Sequence, residues 1–187
     1  MENIILNSFE EHIIVANKTK IELQTAIKGA CDKINSAIQG GKKIILCGNG
    51  GSAADAQHIA AEFTGRFVKE RKPLAAIALT TDTSALTAIG NDYGFDKIFE
   101  RQVEAIAMRG DILIGISTSG NSKNVINAFK KANDIGCMTI ALTGNDGGIM
   151  SEYCNINIII PSSITARIQE MHILIGHIFC SYVDNYF

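Results

Sequence analysis

The sequence of 187 residues predicts a three-layer α/β/α fold, in which a five-stranded parallel sheet follows N-terminal helices. Five short runs are uniformly apolar, which is typical of strands buried on both faces of a parallel sheet. Each run ends in Gly, Ser, Thr or Asn and leads into a stretch of helical periodicity. Strands that alternate with helices in this way are typical of parallel α/β folds.

The first 40 residues predict the helices that precede the sheet. From about Ile21 apolar residues recur at helical spacing, and Gly40 and Gly41 supply a stop. The first sixteen residues also allow a helix with a small apolar face, and a partner subunit is one candidate to cover it. That face consists of Ile5, Phe9, Ile13 and Ala16.

The five predicted strands lie, in chain order, in KIILCGNGGS, LAAIALTTDTS, DILIGISTSGNS, MTIALTGNDGG and NINIIIPSS. A last helix is predicted from a cap at Ser162 or Ser163 to about Tyr186. Because no linker or low-complexity segment interrupts the alternation, we expect one domain over residues 1–187, with a helical extension over residues 1–40. In such sheets ligands bind outside the carboxyl ends of the strands, where the polar loops fall.

Composition excludes several classes of function. Lys and Arg number 17 against 19 Asp and Glu, and no basic stripe is interleaved with aromatics, so we expect no nucleic-acid partner. Five scattered cysteines without a CxxC pair indicate buried thiols in a reducing compartment. The acidic N-terminus does not resemble a secretory signal, and charged residues interrupt the apolar C-terminal stretch, so we expect a cytoplasmic protein without a membrane span.

The loop ISTSGNS places hydroxyl groups between a strand and a helix. Free N–H groups at the helix start, the positive end of the helix dipole and these hydroxyls together form a predicted anion site that suits a phosphate monoester. The alternative is a well-capped helix, for which one serine is enough. The hydroxyls belong to Ser117, Thr118, Ser119 and Ser122.

The turn after the first strand matches a dinucleotide-binding fingerprint only formally. Gly48, Gly50 and Ala53 have the GxGxxG/A spacing, but no acid stands at the end of the next strand, and Asp82 comes too late. The glycines are therefore interpreted as a tight turn that brings backbone N–H groups close to a ligand.

A candidate metal site begins in the same segment. His58 and Glu62 are four residues apart and share one helix face, with Asp55 one turn earlier. A lone histidine on such a helix is more often structural, but this helix starts at the carboxyl end of a strand, beside the predicted cleft. Two ligands do not complete a zinc site. The last helix offers further candidates, which are Gln169, His172 and His177.

Five segments together resemble the sugar isomerase (SIS) domain and, more narrowly, the phosphoheptose isomerase family. They are GNGGSAADAQHIAAEF, IGNDYGF, ISTSGNS, ALTGNDGG and RIQEMHILIGH. The resemblance spans nearly the whole chain. It implies a cytoplasmic enzyme that converts sedoheptulose 7-phosphate into D-glycero-D-manno-heptose 7-phosphate for lipopolysaccharide core biosynthesis. It also implies a homo-oligomer, which in that family is a tetramer.

The resemblance also implies the residues of the site. One zinc ion per subunit is expected on His58, Glu62, Gln169 and His177, with Glu62 and His177 as the catalytic residues. The substrate contacts that the resemblance implies are Asn49, Gly50, Gly51, Ser52, Glu62, Asn91, Asp92, Ser117, Thr118, Ser119, Ser122 and Gln169.

One departure keeps other functions open. Some family members have an acid three residues before the glutamine, where this chain has Ala166. A related group of replication-initiation regulators shares the fold and the RIQEMH stretch but lacks the glutamate and the second histidine. Because Glu62 and His177 are both present, an enzyme is favoured over a regulator. A sugar-phosphate sensor without turnover is a third possibility.

An aldose–ketose isomerisation moves a proton between adjacent carbons through an enediol, and it needs titratable groups within hydrogen-bond reach. Glu62 is the preferred carbon base and His177 the partner that moves the other proton, while zinc would polarise the carbonyl. Because ligation to a metal makes a carboxylate a poorer base, the sequence leaves open whether Glu62 or His177 is the carbon base.

The spacing on the last helix predicts a site shared between subunits. Gln169 and His177 are separated by a rise of about 12 Å, so holding one zinc ion with both from one chain would stretch their reach. We therefore expect a site shared between subunits, in which two chains supply Gln169 and His177; a division of Glu62 and His177 between chains is one such arrangement. His172 lies about 140 degrees around the helix from His177 and is expected in the core or an interface.

Overall fold

The computed structural model describes residues 2–187, which form an α/β fold with helices on both faces of a parallel sheet. The strands are β1 (Ile44–Gly48), β2 (Ala76–Ala78), β3 (Ile112–Ile116), β4 (Met138–Gly144) and β5 (Ile156–Ile160). The helices are α1 (Glu2–Glu22), α2 (Gln24–Gln39), α3 (Gly51–Thr64), α4 (Thr83–Tyr93), α5 (Ile98–Ile106), α6 (Lys123–Ile135) and α7 (Thr165–Asp184). Short 3₁₀ turns cover Phe95–Lys97 and Ile149–Glu152.

All five predicted strands are confirmed, in the order β2-β1-β3-β4-β5 and with every neighbouring pair parallel. Leu46 of β1 lies between Ala78 of β2 and Ile114 of β3. The chain moves from β1 outward to β2 and then returns to β3 on the other side of β1. This reversal opens a crevice at the carboxyl ends of β1 and β3, where such sheets bind ligands.

Two apolar cores explain why the strands are uniformly apolar. Ile44 and Leu46 of β1 face the layer formed by α2, α3 and α7, whereas Ile45 and Cys47 face the layer formed by α5 and α6. Alternate residues of a strand point to opposite faces, and here both faces are covered by helices. The predicted three-layer architecture is therefore confirmed.

The start of the last helix differs from the sequence prediction. The helix begins at Thr165, and Ile164 occupies the N-cap position, so neither Ser162 nor Ser163 is the cap. The Ser162 hydroxyl instead accepts a hydrogen bond from the Ile164 N–H at 3.1 Å, which forms a local turn before the helix. The helix ends at Asp184, two residues before the predicted end.

The N-terminal helix α1 packs one side on α7 and exposes apolar residues on the other. His12 Nδ1 lies 2.7 Å from Glu170 Oε2, and Arg167 donates to the Ser8 carbonyl. More than half of each side chain is exposed at Ile4, Ile5, Leu6, Phe9, Ile13 and Ile14. Within residues 2–187, no helix is long and apolar enough to cross a membrane.

The cysteine thiols match the sequence expectation. All five are unpaired, and four are buried, whereas Cys154 is half-buried. Burial raises the pKa of the Cys47 thiol to about 12, and burial with the nearby Asp32 carboxylate raises that of Cys31 to about 11. These two thiols therefore stay protonated and chemically quiet at neutral pH.

Candidate active site

The turn between β1 and α3 forms one wall of the crevice. Gly50 has a φ of 56°, which favours glycine, and a Cβ at Gly48 would lie 2.7 Å from the Ser52 carbonyl oxygen. The glycines thus allow a tight turn, in agreement with the sequence interpretation. Asn49 exchanges two amide hydrogen bonds with Asn124 of α6, at 2.8 and 2.9 Å, which ties this turn to the opposite wall.

The loop between β3 and α6 is the opposite wall, and its hydroxyls face each other. Ser117 Oγ and Ser122 Oγ are 2.9 Å apart, and Ser119 Oγ accepts from the Asn121 N–H at 3.2 Å. Ser122 occupies the N-cap position of α6, yet its hydroxyl is bonded to Ser117 and not to the helix backbone. A capping role does not explain these hydroxyls, so the anion-site interpretation is favoured.

The crevice continues into a cavity of about 450 Å³ beside α4. The glycine turn and Thr80 provide polar groups, and Leu86, Phe95 and Phe99 provide apolar surface. Of the residues predicted to contact substrate, Asn49 and Gly50 line this cavity. Asn91 and Asp92 follow Gly90, which does line it, but their side chains are exposed and bonded to each other at 2.8 Å.

Three of the four predicted metal ligands meet at the far end of α3. One ligand atom each of His58, Glu62 and His177 lies within 4.8 Å of the others, and His58 Nε2 is 3.2 Å from Glu62 Oε1. Two ligand atoms bound to one tetrahedral zinc ion at about 2.1 Å are about 3.4 Å apart, so shifts of about 1.5 Å would bring these three into range. Imidazole nitrogens and a carboxylate are suitable zinc ligands.

The cluster bears on one arrangement of the expected shared site, the one in which Glu62 and His177 come from different chains. Glu62 and His177 come together within one chain, because α3 and α7 pack side by side and run parallel: a Cβ at Gly176 would lie 2.4 Å from Ile59 Cδ1. The rise of about 12 Å along the last helix separates Gln169 from His177, and it sets no limit on the distance between residues on two adjacent helices.

Gln169 lies apart from this cluster. A Cβ at Gly51 would be 2.5 Å from Gln169 Nε2, which places the amide beside the first turn of α3. His58 is about two turns further along that helix, a rise of about 10 Å. Gln169 thus accompanies the glycine turn in this structure, while His58, Glu62 and His177 form a separate group.

Two further ionisable groups near the cluster have different environments. Burial raises the pKa of the Asp55 carboxyl, although the nearby His58 opposes this shift, and Asp55 Oδ2 has no hydrogen-bond partner among residues 3–187. His172 is fully buried, and burial lowers its pKa to about 4 even though Nε2 donates to the Thr143 carbonyl at 3.0 Å. His172 is therefore a neutral core residue, as predicted.

Sequence analysis missed four residues that support the site. Asn124 holds the glycine turn, and Phe67 stacks on the His177 ring with centroids 5.4 Å apart. Arg71 and Asp184 form a buried ion pair at 2.7 Å beside the metal-ligand cluster. None of these residues belongs to a periodic pattern or motif, and the ion pair joins positions 113 residues apart, so no local signal marks it.

Comparison with known proteins defines the class first. A family model of the SIS domain matches residues 9–144, in agreement with the parallel sheet and the hydroxyl-rich loops described above. A phosphoheptose isomerase from Aliarcobacter butzleri is 58% identical over 185 residues, which cover 99% of this chain and 98% of the relative. The chain belongs to the phosphoheptose isomerase family and is an enzyme, a sugar-phosphate isomerase.

Solved structures agree with this assignment. A phosphoheptose isomerase from Neisseria gonorrhoeae superposes with a TM-score of 0.93 at 47% identity, covering 98% of both chains. One from Francisella tularensis gives a TM-score of 0.95 at 41% identity, covering 98% of this chain and 97% of that one. The similarity therefore includes α1 and α7 as well as the sheet.

Proposed function

We propose that this enzyme interconverts sedoheptulose 7-phosphate and D-glycero-D-manno-heptose 7-phosphate, and that the product supplies the heptose of a lipopolysaccharide core. The observation that carries this proposal is the grouping of one ligand atom each of His58, Glu62 and His177 within 4.8 Å, in a chain whose β3–α6 loop also brings two serine hydroxyls together. The names of full-length relatives, phosphoheptose isomerases, support the seven-carbon substrate.

The phosphate is assigned to the loop between β3 and α6. Ser117 and Ser122 already direct their hydroxyls at each other, and the first N–H groups of α6 add donors and the positive end of the helix dipole. Ser119 and Thr118 complete the predicted contacts. An anchored phosphate fixes the far end of the sugar, so that less freedom is lost when the reacting carbons approach the catalytic groups.

The metal proposed for the cluster is one zinc ion per chain, held by His58, Glu62 and His177. The donor set suits zinc, and three protein ligands leave a position for a substrate oxygen. When bound, zinc would polarise the substrate carbonyl and stabilise negative charge on its oxygen. Gln169, which lies beside Gly51, is assigned to the substrate and not to this set.

The proton transfers are assigned to two side chains of the cluster. Glu62 removes the proton from the carbon that bears the hydroxyl, the electron pair forms the enediol, and a proton returns to the neighbouring carbon. His177 moves the proton between the two oxygens. His58 Nε2 lies 3.2 Å from one oxygen of the Glu62 carboxylate, so the other oxygen is the one assigned to the substrate.

The proposed environment is the cytoplasm, and the proposed assembly is a homotetramer. Four buried, unpaired thiols suit a reducing compartment. The exposed apolar side chains of α1 exceed what a monomer usually leaves in contact with water along one helix, so a second copy of this chain is the proposed cover.

An assay with sedoheptulose 7-phosphate tests this function. The purified enzyme is expected to form an aldose phosphate, to contain about one zinc per chain, and to lose activity when a chelator removes it. Unphosphorylated sedoheptulose is the control and should react poorly. Binding without turnover would indicate a sensor, and full activity in the metal-free protein would refute the zinc role.

A further inference from the structure

The loop that follows α3 contains a buried arginine that contacts the end of the helix. Arg71 has a fully buried side chain, and its Nη2 donates to the Glu62 carbonyl at 2.8 Å. Its Nη1 donates to the Phe63 carbonyl at 3.0 Å. The guanidinium thus satisfies carbonyls of the last turn of α3, which otherwise lack partners within the helix. One of them belongs to Glu62 itself.

The arginine is in turn held by the last residue of α7. Arg71 Nε donates to Asp184 Oδ1 at 2.7 Å, and the Asp184 side chain is 4% exposed. The other oxygen, Oδ2, accepts from the backbone N–H groups of Val68 and Lys69 at 3.0 and 3.1 Å. One carboxylate therefore fixes the loop at three donors and joins it to the helix that bears His177.

This loop presents Phe67 to the metal-ligand cluster. Phe67 directly precedes Val68, and its ring stacks on that of His177 with an interplanar angle of 26°. The His177 ring also meets His58 in an edge arrangement, with centroids 5.0 Å apart. Among residues 3–187 no hydrogen bond to the His177 ring is found, so packing against Phe67 and His58 sets its orientation.

We infer that Arg71 and Asp184 are positioning residues for the isomerisation: together they hold the Glu62 backbone and, through Phe67, the ring of His177. This inference rests on the proposed roles of Glu62 and His177. Residues that contact a metal ligand and orient it affect the site: when they are changed, metal affinity or activity falls by about tenfold to a hundredfold. Here a buried ion pair and an aromatic ring make these contacts.

If the ion pair were purely structural, its loss would lower stability without a specific loss of zinc affinity or kcat. The chain contains a second ion pair that serves as a matched control. Asp111 is also buried, accepts from the Lys43 and Met108 N–H groups at 3.1 and 2.8 Å, and pairs with the Lys43 ammonium. It precedes β3 at the amino end of the sheet, opposite the crevice. Loss of the Asp184 carboxylate leaves the buried Arg71 guanidinium short of its partner, and loss of the Asp111 carboxylate leaves the half-buried Lys43 ammonium short of its partner, so both changes are destabilising.

The test compares Asp184→Asn, Arg71→Lys and Phe67→Leu with Asp111→Asn and the wild type. For each folded protein, the thermal midpoint, the zinc affinity in a chelator competition, and kcat and KM are measured. We expect Asp184→Asn and Asp111→Asn both to lower the midpoint. Only the three variants near the cluster should lose zinc affinity and kcat, by about tenfold or more, with KM for the sugar phosphate nearly unchanged.

Phe67→Leu keeps the ion pair, so it separates ring orientation from loss of folding. The inference is overturned if Phe67→Leu and Arg71→Lys, folded at the assay temperature, retain wild-type zinc affinity and kcat, or if Asp111→Asn loses as much. If the purified wild type contained no zinc, the proposed metal would be refuted. The positioning role would then be decided by comparing kcat of the variants with kcat of the wild type. If the wild type were inactive on sedoheptulose 7-phosphate, the proposed substrate would be refuted. The positioning role would then be decided by the zinc affinities of the variants.

Discussion

At the residue scale, Glu62 has the most contacts to account for. Its carboxylate meets His58 at 3.2 Å, and its carbonyl accepts from Arg71 at 2.8 Å. The glycine turn and the hydroxyl loop were predictable because they follow strand ends in a parallel sheet, where side chains converge. His58 and Glu62 were predictable as a pair from their spacing on one helix face. Phe67, Arg71 and Asp184 were not predictable, because their contacts depend on how a loop without a sequence motif folds over two helices.

The Glu62→Gln variant tests the carbon base. The change removes the carboxylate while keeping the side chain's size. Because a general base contributes about 10² to 10⁴ in rate, exchange of the substrate's carbon-bound proton with solvent deuterium should fall by at least about a hundredfold. Binding of the sugar phosphate should persist, because the hydroxyl loop is untouched. Undiminished exchange would transfer the base role to His177.

The hydroxyls of the anion loop give a prediction about KM. Ser119→Ala and Ser122→Ala each remove a donor to the phosphate, and hydrogen bonds to charged groups contribute about 1.5–3 kcal/mol, so each variant should raise KM about tenfold or more with little change in kcat. Ser36→Ala is the control, since its hydroxyl bonds the Asp32 carbonyl within α2. A fall in kcat at unchanged KM would contradict the anchoring role.

At the element scale, the strands were easier to predict than the helix ends. Strands covered on both faces are apolar at every position, and that signal is local. The start of α7 depends on which N–H group the Ser162 hydroxyl bonds, and the pattern of serines alone does not determine this. The grouping of Glu62 and His177 within one chain was not predictable for a related reason: sequence spacing gives distances along one helix but not between α3 and α7.

The packing of α7 on β4 predicts a pH dependence of stability. Burial lowers the pKa of His172 from 6.5 to about 4, so the unfolded chain binds a proton there that the folded chain excludes. The stability contribution is complete above pH about 6.5 and is lost as the pH falls towards 4. Denaturant unfolding between these pH values should show this loss in the wild type.

His172→Gln is the matched variant, because its amide can still donate to the Thr143 carbonyl but does not titrate over this range. Its free energy of unfolding should depend less steeply on pH than that of the wild type. Identical slopes for the two proteins would show that His172 is not the group responsible.

At the scale of the whole molecule, the exposed apolar side chains of α1 are the proposed interface between copies of this chain. Phe9 is 66% exposed in the isolated chain and lies among the exposed apolar residues of α1. Phe9→Glu should shift the proposed tetramer towards smaller species in sedimentation velocity, because a charge would be buried there without a partner. Met108→Glu alters an equally exposed residue, at 66%, on a distant loop and should leave the assembly intact. Unchanged assembly in Phe9→Glu would exclude this surface as the interface.

We infer that one chain assembles the proposed catalytic pair, and coexpression of Glu62→Gln with His177→Ala is the sharpest measurement of this. Each variant is expected to be inactive alone, since each lacks one member of the pair. Because both residues of a site come from the same chain, mixed oligomers, verified by mass, should stay inactive. Coexpression of the wild type with the double variant is the control and should retain activity in proportion to wild-type chains. Recovery of a substantial fraction of wild-type activity in the mixed oligomers would contradict the single-chain cluster of His58, Glu62 and His177.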